Sequence, residues 1–217
     1  MAAHWLPLFP LNTVLFPHLP LPLHVFEDRY RVMISDCLEA GHSFGVVGIR
    51  EGLETGPALP YDIGTLAKIV RIDRMEDGRM NLLVSGASRF RILETATDRP
   101  YLRARIEILP EAGDEGAGIG ELTEAAATAF REYSNLLREL VNEQPQPFEP
   151  PIDPELLSYL VAGTLTLQLP QKQALLQYPR TDERLRAELA LLRRELTLLR
   201  EMLRQKQSGV AGRASLN

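Results

Sequence analysis

The period of the hydrophobic pattern changes once along this chain, and that change constrains the fold more than any other feature. Up to about residue 110, apolar residues mainly alternate with polar ones, as they do in half-buried strands. After residue 120 they recur every three or four residues, which is typical of amphipathic helices. The intervening segment, EAGDEGAGIG, is rich in glycine and acid and indicates a linker. The sequence therefore predicts an α+β protein with a β-rich subdomain in residues 1–110, a linker in 111–120, a helical bundle in 121–207 and a disordered tail in 208–217.

The first half predicts a compact, mostly antiparallel unit, either a small barrel or a strongly bent sheet, with one helix across it. Strand patterns cover residues 43–49, 65–72, 79–85 and 102–109, and the last of these places Leu102, Ala104, Ile106 and Ile108 on its inner face. Asp77-Gly78 indicates a two-residue hairpin turn. The helix covers about residues 26–39, ends before Gly41, and carries one apolar face formed by Tyr30, Met33, Ile34, Cys37 and Leu38.

The second half predicts four helices. They cover residues 121–142, 154–165, a short stretch after Pro170, and a long stretch from Thr181 or Asp182 to about Gln207. Asp153 is the predicted N-cap of the second of these helices. In the last helix, leucines spaced alternately by four and three residues form one continuous seam: Leu185, Leu189, Leu192, Leu196, Leu199 and Leu203. A second stripe contains Leu191, Leu198 and Met202. Either the bundle itself covers this second stripe, or the stripe is a surface for a protein partner or a second copy of the chain.

Composition narrows the function classes. Hydrophobic residues make up 45% and charged residues 24% of the 217 residues, with a net charge of −5, so bulk charge gives no support for nucleic-acid binding. No stretch reaches the roughly 20 apolar residues that a membrane span needs. No Lys or Arg precedes Arg29, and prolines interrupt the apolar N-terminus, so an export signal is not expected either. These features predict a cytoplasmic location, with the single cysteine, Cys37, in a structural role.

The sequence contains no pattern that predicts catalysis, a cofactor or a metal. There is no phosphate-binding loop, and Gly116, Gly118 and Gly120 follow an acidic linker instead of a strand. The four histidines are scattered, there is no G-x-S-x-G, and the only lysines are Lys68, Lys172 and Lys206. Several arginines could converge near one hairpin and hold a phosphate backbone: Arg71, Arg74, Arg79, Arg89 and Arg91. Acidic residues lie among them, so ordinary surface charge is the favoured interpretation.

Two segments carry a family signature. The first comprises PLFPL at residues 7–11, VLFP at 14–17 and LHVFEDRYR at 23–31; the second comprises LPQKQALL at 169–176 and ERL at 183–185, leading into the long helix. In this order and separation they resemble the N-terminal substrate-binding domain of ATP-dependent Lon proteases. The resemblance covers about residues 6–206. It implies a pseudo-barrel of PUA-like type followed by a helical bundle.

The resemblance also implies a role. In the proteases the long helix leads to an ATPase and a Ser–Lys peptidase, whereas this chain stops shortly after it, similar to small stand-alone bacterial proteins. The expected function is therefore a non-enzymatic module that binds unfolded or client polypeptides, with the alternatives of RNA binding or assembly. The expected binding surface is an apolar groove between the β subdomain and the bundle, or the second stripe of the last helix. The motif residues themselves are expected to serve mainly the fold: Pro10, Pro17, Phe26, Glu27, Arg29, Tyr30, Lys172 and Gln173. The prolines are expected to hold the chain extended, and Phe26 and Tyr30 are expected to pack into the barrel.

Overall fold

A computed structural model describes residues 5–41, 43–111, 118–144 and 147–214, with side chains described up to residue 206. The chain forms two compact units. The first contains residues 1–111 and 162–178, and the second contains residues 112–161 and 179–217. The division predicted from the sequence placed residues 162–178 in the bundle, so the structure differs there. Residues 112–117 of the predicted linker and 215–217 of the predicted tail lie outside the described residues.

Among the described residues, seven strands build the first unit: β1 (Trp5–Leu11), β2 (Pro20–Val25), β3 (Phe44–Gly52), β4 (Ala58–Pro60), β5 (Ile63–Arg74), β6 (Met80–Ala96) and β7 (Arg103–Leu109). Five of them pair in the closed order β1-β7-β6-β5-β3 and back to β1. All pairs in this ring are antiparallel except β1 with β3. Strand β2 pairs with β6, and β4 pairs with β3, outside the ring. The predicted pseudo-barrel is confirmed.

Strand β1 closes the barrel although it contains two prolines. Its first residues, up to Pro7, pair with β7, and its last four residues pair with β3. Each part therefore needs hydrogen-bond donors on one side only, which a proline tolerates. Sequence patterning predicted only an extended segment here.

The β5–β6 hairpin has a longer turn than predicted. The backbone N–H of Met75 donates to the carbonyl of Arg79 at 2.9 Å, which leaves a three-residue loop instead of two residues. Gly78, at φ +83°, takes the left-handed conformation that such a loop requires at its last position. A three-residue loop ending in a left-handed glycine follows the strand twist as well as a two-residue turn does.

The described residues of this unit include a larger and a smaller apolar cluster. The larger combines buried residues of β2, β3 and β6 with the inner face of helix α1 (Asp28–Ala40). Tyr30, Met33, Ile34 and Cys37 are buried as predicted, whereas Leu38 is 39% exposed because it lies at the edge of the apolar stripe. The smaller cluster contains Leu6, Leu8, Val47, Phe90 and Ala104. Strand β7 is less buried than predicted, because Ile108, which was expected on its inner face, is exposed.

In the part of the chain that the structure describes, four further helices follow: α2 (Ile119–Leu140), α3 (Pro154–Thr164), α4 (Leu169–Gln177) and α5 (Thr181–Ala214). All four were predicted, and α5 continues beyond the expected end at Gln207. The carboxylate of Asp153 accepts the N–H of Leu156 at 2.8 Å, which confirms the predicted N-cap of α3. Of these helices, α4 and the last residues of α3 belong to the first unit.

Helix α4 is joined to the strands of the first unit by buried side chains. The guanidinium of Arg89, on β6, donates to the carbonyls of Leu176 at 3.0 Å and Tyr178 at 2.5 Å, and it pairs with the carboxylate of Glu111. The amide of Gln173 donates to the carbonyl of Ile63 at 2.9 Å. These bonds explain why residues 162–178 belong to the first unit.

In the second unit, α2 packs on α5. Every leucine of the predicted seam on α5 is buried: Leu185, Leu189, Leu192, Leu196, Leu199 and Leu203. The seam prediction is therefore confirmed, because its spacing keeps one face turned to the neighbouring helix.

A buried polar cluster lies where α3 and α5 meet within this unit. Arg184 lies over the ring of Tyr159 at 4.0 Å and donates to the hydroxyl of Ser158 at 2.6 Å, and that hydroxyl donates to Glu188 at 3.0 Å. Burial raises the pKa of Glu188 well above its ordinary value, opposed by the nearby charge of Arg184.

Candidate functional site

The first unit contains an apolar pocket of about 260 Å³. Its walls come from the end of β1, from β2, from the start of α1, and from the loop between β3 and β4. The lining residues are Phe9, Pro10, Leu11, Thr13, Leu21, Pro22, Leu23, His24, Phe26, Glu27, Tyr30, Glu54 and Thr55. We call this the motif pocket, because residues of the family signature contribute a large part of its lining. Its volume lies below the roughly 300–1,000 Å³ of typical small-molecule sites.

A stack of three side chains supports one side of the motif pocket. The rings of Phe9 and Tyr30 lie parallel, 4.1 Å apart, and the guanidinium of Arg29 lies 4.4 Å from the centre of the Tyr30 ring. Phe9 and Tyr30 are buried, and burial raises the pKa of Tyr30 to about 12 although the charge of Arg29 opposes the shift. The Tyr30 hydroxyl therefore stays protonated at neutral pH.

The same arginine fixes the loop that forms another wall of the pocket. Arg29 donates to the backbone carbonyls of Glu54 at 2.5 Å and Gly56 at 3.3 Å, and it pairs with the carboxylate of Glu27 at 3.0 Å. The carboxylate of Glu54 also accepts the backbone N–H of Asn12 at 2.5 Å. Because both ends of the loop are tied, the wall is held in place before any ligand arrives.

Phe26 lies at the mouth of the motif pocket and is 52% exposed. Its ring lies 5.9 Å from the ring of His24, with 25° between the planes. The expectation that Phe26 packs into the barrel is therefore wrong, whereas the same expectation for Tyr30 holds. Phe26 lies two residues before the first residue of α1, where the chain turns from β2 into the helix and the apolar stripe has not begun.

The described lining of the motif pocket carries more negative than positive charge. Its described lining includes two carboxylates, Glu27 and Glu54, and neither lysine nor arginine. Arg29 lies beside Glu27 and offsets its charge. No ion-pair partner is found for Glu54 within the described part of the chain, although its carboxylate accepts one backbone hydrogen bond.

The remaining motif residues lie elsewhere in the first unit. Pro17 is buried and forms an isolated bridge with Gly86. Gln173 is buried and joins α4 to the strands. The ammonium of Lys172 donates to the carbonyl of Gly163 at 3.2 Å, and burial lowers its pKa. The structure thus divides the motif into pocket-lining residues (Pro10, Phe26, Glu27 and Tyr30), a residue that supports the pocket (Arg29), and residues of the framework.

Sequence reasoning missed the contribution of β2 and of the loop. Leu21 and Leu23 alternate with Pro20 and Pro22, a period-two signal that could have predicted a strand at this position. The sequence contains no such signal for Glu54, because Glu54 reaches the pocket through contacts with residues that are distant in the chain.

On α5, Leu198 and Met202 are 52% and 50% exposed, and Leu191 is half-buried. These are the residues of the predicted second stripe. Their exposure leaves an apolar face on the second unit beside the filled leucine seam.

Of the five arginines considered for nucleic-acid binding, four are buried or paired with carboxylates. Arg89 is buried in the first unit. Three others pair with carboxylates: Arg71 with Asp73, Arg79 with Asp77, and Arg91 with Glu107. Paired surface charges attract a phosphate backbone less than free ones do.

Other chemistry has little basis among the described residues. Cys37 is buried, and burial raises the pKa of its thiol to about 11, so the reactive thiolate is scarce at neutral pH. Within residues 5–206, apart from the masked positions, no three His, Cys, Asp or Glu side chains are grouped so that they could hold a metal ion. Of the helices that the structure describes, none combines the length and the apolar character of a membrane span.

Comparison with known proteins identifies the family to which this barrel and leucine-rich helix belong. Residues 5–194 match the family model of the ATP-dependent protease La (LON) substrate-binding domain. The chain therefore belongs to this family.

Its relatives include full-length Lon proteases. The chain is 31% identical over 199 residues to Lon protease 2 of Myxococcus xanthus, and 32% identical over 197 residues to Lon protease 1 of Thermus thermophilus. These alignments cover 90% and 88% of this chain but only 24% and 25% of the relatives. The chain thus spans about a quarter of their length, the part that corresponds to the substrate-binding domain.

Solved structures give the same assignment. A Lon N-terminal domain protein from Xanthomonas campestris is 30% identical, with a TM-score of 0.64 over 86% of this chain and 98% of its own. The N-terminal domain of Lon protease from Mycobacterium avium complex gives a TM-score of 0.64 over 87% of this chain and 98% of its own. At 23% identity, the second likeness supports the fold alone.

Proposed function

We propose that this protein is a non-catalytic module that holds exposed apolar segments of unfolded or client polypeptides in the motif pocket. The observation that carries the proposal is the half-exposed ring of Phe26 at the mouth of a pocket lined mainly by apolar side chains. An exposed aromatic side chain beside a concave apolar surface is a common feature of protein-binding sites. Membership of a substrate-binding family supports the same proposal.

Binding is expected to use side-chain burial rather than addition of a strand to the sheet. Strand β2 borders the motif pocket and pairs with β6. Two of its six residues, Pro20 and Pro22, have no amide hydrogen to offer an added strand. Prolines in an edge strand protect it against pairing with other chains. The client therefore contributes side chains to the pocket, and its own backbone stays largely solvated.

Affinity for a single segment is expected to be weak. A pocket of about 260 Å³ accommodates one or two side chains. The apolar area buried by such a contact is small, and association also costs translational and rotational freedom. Dissociation constants in the micromolar range or weaker follow, with tighter binding for clients that carry several apolar segments.

The test compares one client protein in two states. A reduced, chemically blocked protein that cannot refold is expected to bind the pure chain, whereas its native form does not, because the native form buries its apolar side chains. An array of peptides from the same client, with apolar-poor peptides of equal net charge as controls, identifies the segments that bind. Equal signals from apolar and apolar-poor peptides, or no signal at all, would contradict the proposal.

Leu198 and Met202 support a second candidate function, assembly through α5. Their exposed side chains form an apolar face that a second copy of the chain could cover. Leu198→Glu is then expected to lower the mass measured by light scattering, whereas Thr197→Glu, at the exposed neighbouring position, leaves it unchanged. A wild-type protein that is monomeric at all concentrations tested would reject this surface as an interface between copies.

A further inference from the structure

The carboxylate of Glu54 at the rim of the motif pocket indicates which charge a client segment should carry beside its apolar side chain. Glu54 lies on the loop that forms one wall, and the described residues offer it one backbone hydrogen bond from Asn12 and no ion pair. A carboxylate accepts about four hydrogen bonds when it is ionised. Glu54 therefore keeps capacity for a cationic donor from outside.

Glu54 lies beside the apolar lining of the pocket, so its charge acts on the residues that flank a bound apolar side chain. The same pocket is lined by Phe9, Leu11 and Leu23, so an apolar side chain that enters it brings the next residues of the client toward the rim. Glu27, the other carboxylate of the lining, is offset by Arg29 at 3.0 Å. The net charge of the rim is therefore set by Glu54.

We infer that the motif pocket selects polypeptide segments in which an apolar side chain is flanked by lysine or arginine, with Glu54 as the specificity-determining residue. This inference rests on the proposed function and names the class of segment that the pocket takes. Acidic flanks are repelled by the same carboxylate, so phosphorylated or acidic segments bind less well. The interaction occurs at a solvated rim, so it weakens as salt screens it.

Three fluorescent peptides test the inference. They share one extended apolar centre and differ only in the flanking residues, which are lysine, glutamine or glutamate. The pure full-length chain is expected to bind them in that order, with about a fivefold ratio between lysine and glutamate flanks at low salt, the upper end for an exposed charge pair. In 0.5 M salt the ratio is expected to fall toward one, while the apolar centre still binds.

Two matched variants locate the effect. Glu54→Gln keeps an oxygen that can accept the N–H of Asn12 but removes the charge, so the ratio is expected to fall by about half or more. Glu76→Gln removes the same charge from an exposed position in the β5–β6 turn and should leave the ratio as in the wild type. Because both variants change the net charge equally, a general effect of the acidic chain would lower the ratio in both and overturn the role of Glu54.

The remaining outcomes separate the inference from the function on which it rests. Equal binding of all three peptides overturns the charge preference and leaves apolar binding intact. Failure of all three to bind, at concentrations where unfolded clients also fail, overturns both. A ratio that persists unchanged in Glu54→Gln shows that another group determines the preference and likewise rejects the inference.

Discussion

Truncation of Phe26 to alanine is the most direct test of the motif pocket. The ring is 52% exposed in the free protein, so about half of its surface is available to a client. Leu93, on β6 and outside the pocket lining, is 54% exposed and provides a matched position. Phe26→Ala and Leu93→Ala therefore remove similar half-buried side chains, but only the first changes the pocket.

The expected magnitude follows from the exposed area. A phenylalanine side chain buries on the order of 200 Å² when fully covered, so roughly 100 Å² of Phe26 remains for the client. At about 25 cal/mol per Å², full coverage would contribute about 2.5 kcal/mol to binding. Coverage at the mouth of a pocket is incomplete, and alanine retains some contact, so we expect a loss of about 1–2 kcal/mol. This corresponds to a roughly fivefold to thirtyfold weaker dissociation constant.

The assay is fluorescence anisotropy with a labelled unfolded client, at a temperature where thermal unfolding curves show all variants folded. Both variants are expected to lose a similar, small part of the free energy of unfolding, because each ring or chain is about half-buried in the fold. Only Phe26→Ala should bind the client more weakly. If Leu93→Ala weakens binding as much, or if Phe26→Ala binds like the wild type, the motif pocket is not the binding site.

Three further predictions concern the framework. Arg89→Met should lower the free energy of unfolding by about 3–5 kcal/mol, because it removes the buried donor that serves two carbonyls and a carboxylate. Denaturant titration measures this change, and a loss below about 1 kcal/mol would contradict the role assigned to Arg89. Hydrogen bonds from neighbouring arginines lower the pKa of Asp182, so its stabilisation is present above the ordinary carboxyl pKa and is lost as the pH falls through the lowered value. Asp182→Asn should therefore cost about 1 kcal/mol at pH 7 and progressively less as the pH falls below the ordinary carboxyl pKa, and a loss that does not change with pH would refute the assignment. Cys37 should react with a thiol reagent only after denaturation, since burial raises its pKa to about 11, and rapid labelling of the folded protein would contradict this.

The helical half was the more predictable part of the fold, for a physical reason. A helix face depends on residues three and four apart, so local spacing alone predicted the leucine seam, the Asp153 cap and the four helices. The seam is buried because a continuous stripe needs only one neighbouring helix. The assignment of residues 162–178 to the first unit could not be predicted in this way, since it depends on long-range hydrogen bonds from Arg89 and Gln173.

The β half was predictable in class but not in detail. Alternation predicted most of the strands, but β1 and β2 contain four prolines between them, which ordinarily argue against a strand. Closure of the barrel depends on β1 changing its partner from β7 to β3 midway, a choice that no local pattern encodes. The motif pocket was missed for the same reason. The signature predicts framework residues, whereas the ring of Phe26 remains half-exposed in the fold.

The motif pocket is formed before a client binds, so the state of the client decides whether it binds. Its walls include the end of β1 in the closed barrel, the attached strand β2, the start of α1, and a loop that Arg29 ties at two carbonyls. The pocket therefore exists before binding, and little ordering is required of the protein. The client must therefore supply an apolar side chain that is already accessible on a segment able to extend. Folded proteins bury most such side chains, whereas unfolded ones expose them. Selection would then follow from the accessibility of the client side chain, with the charge of Glu54 refining the choice among accessible segments.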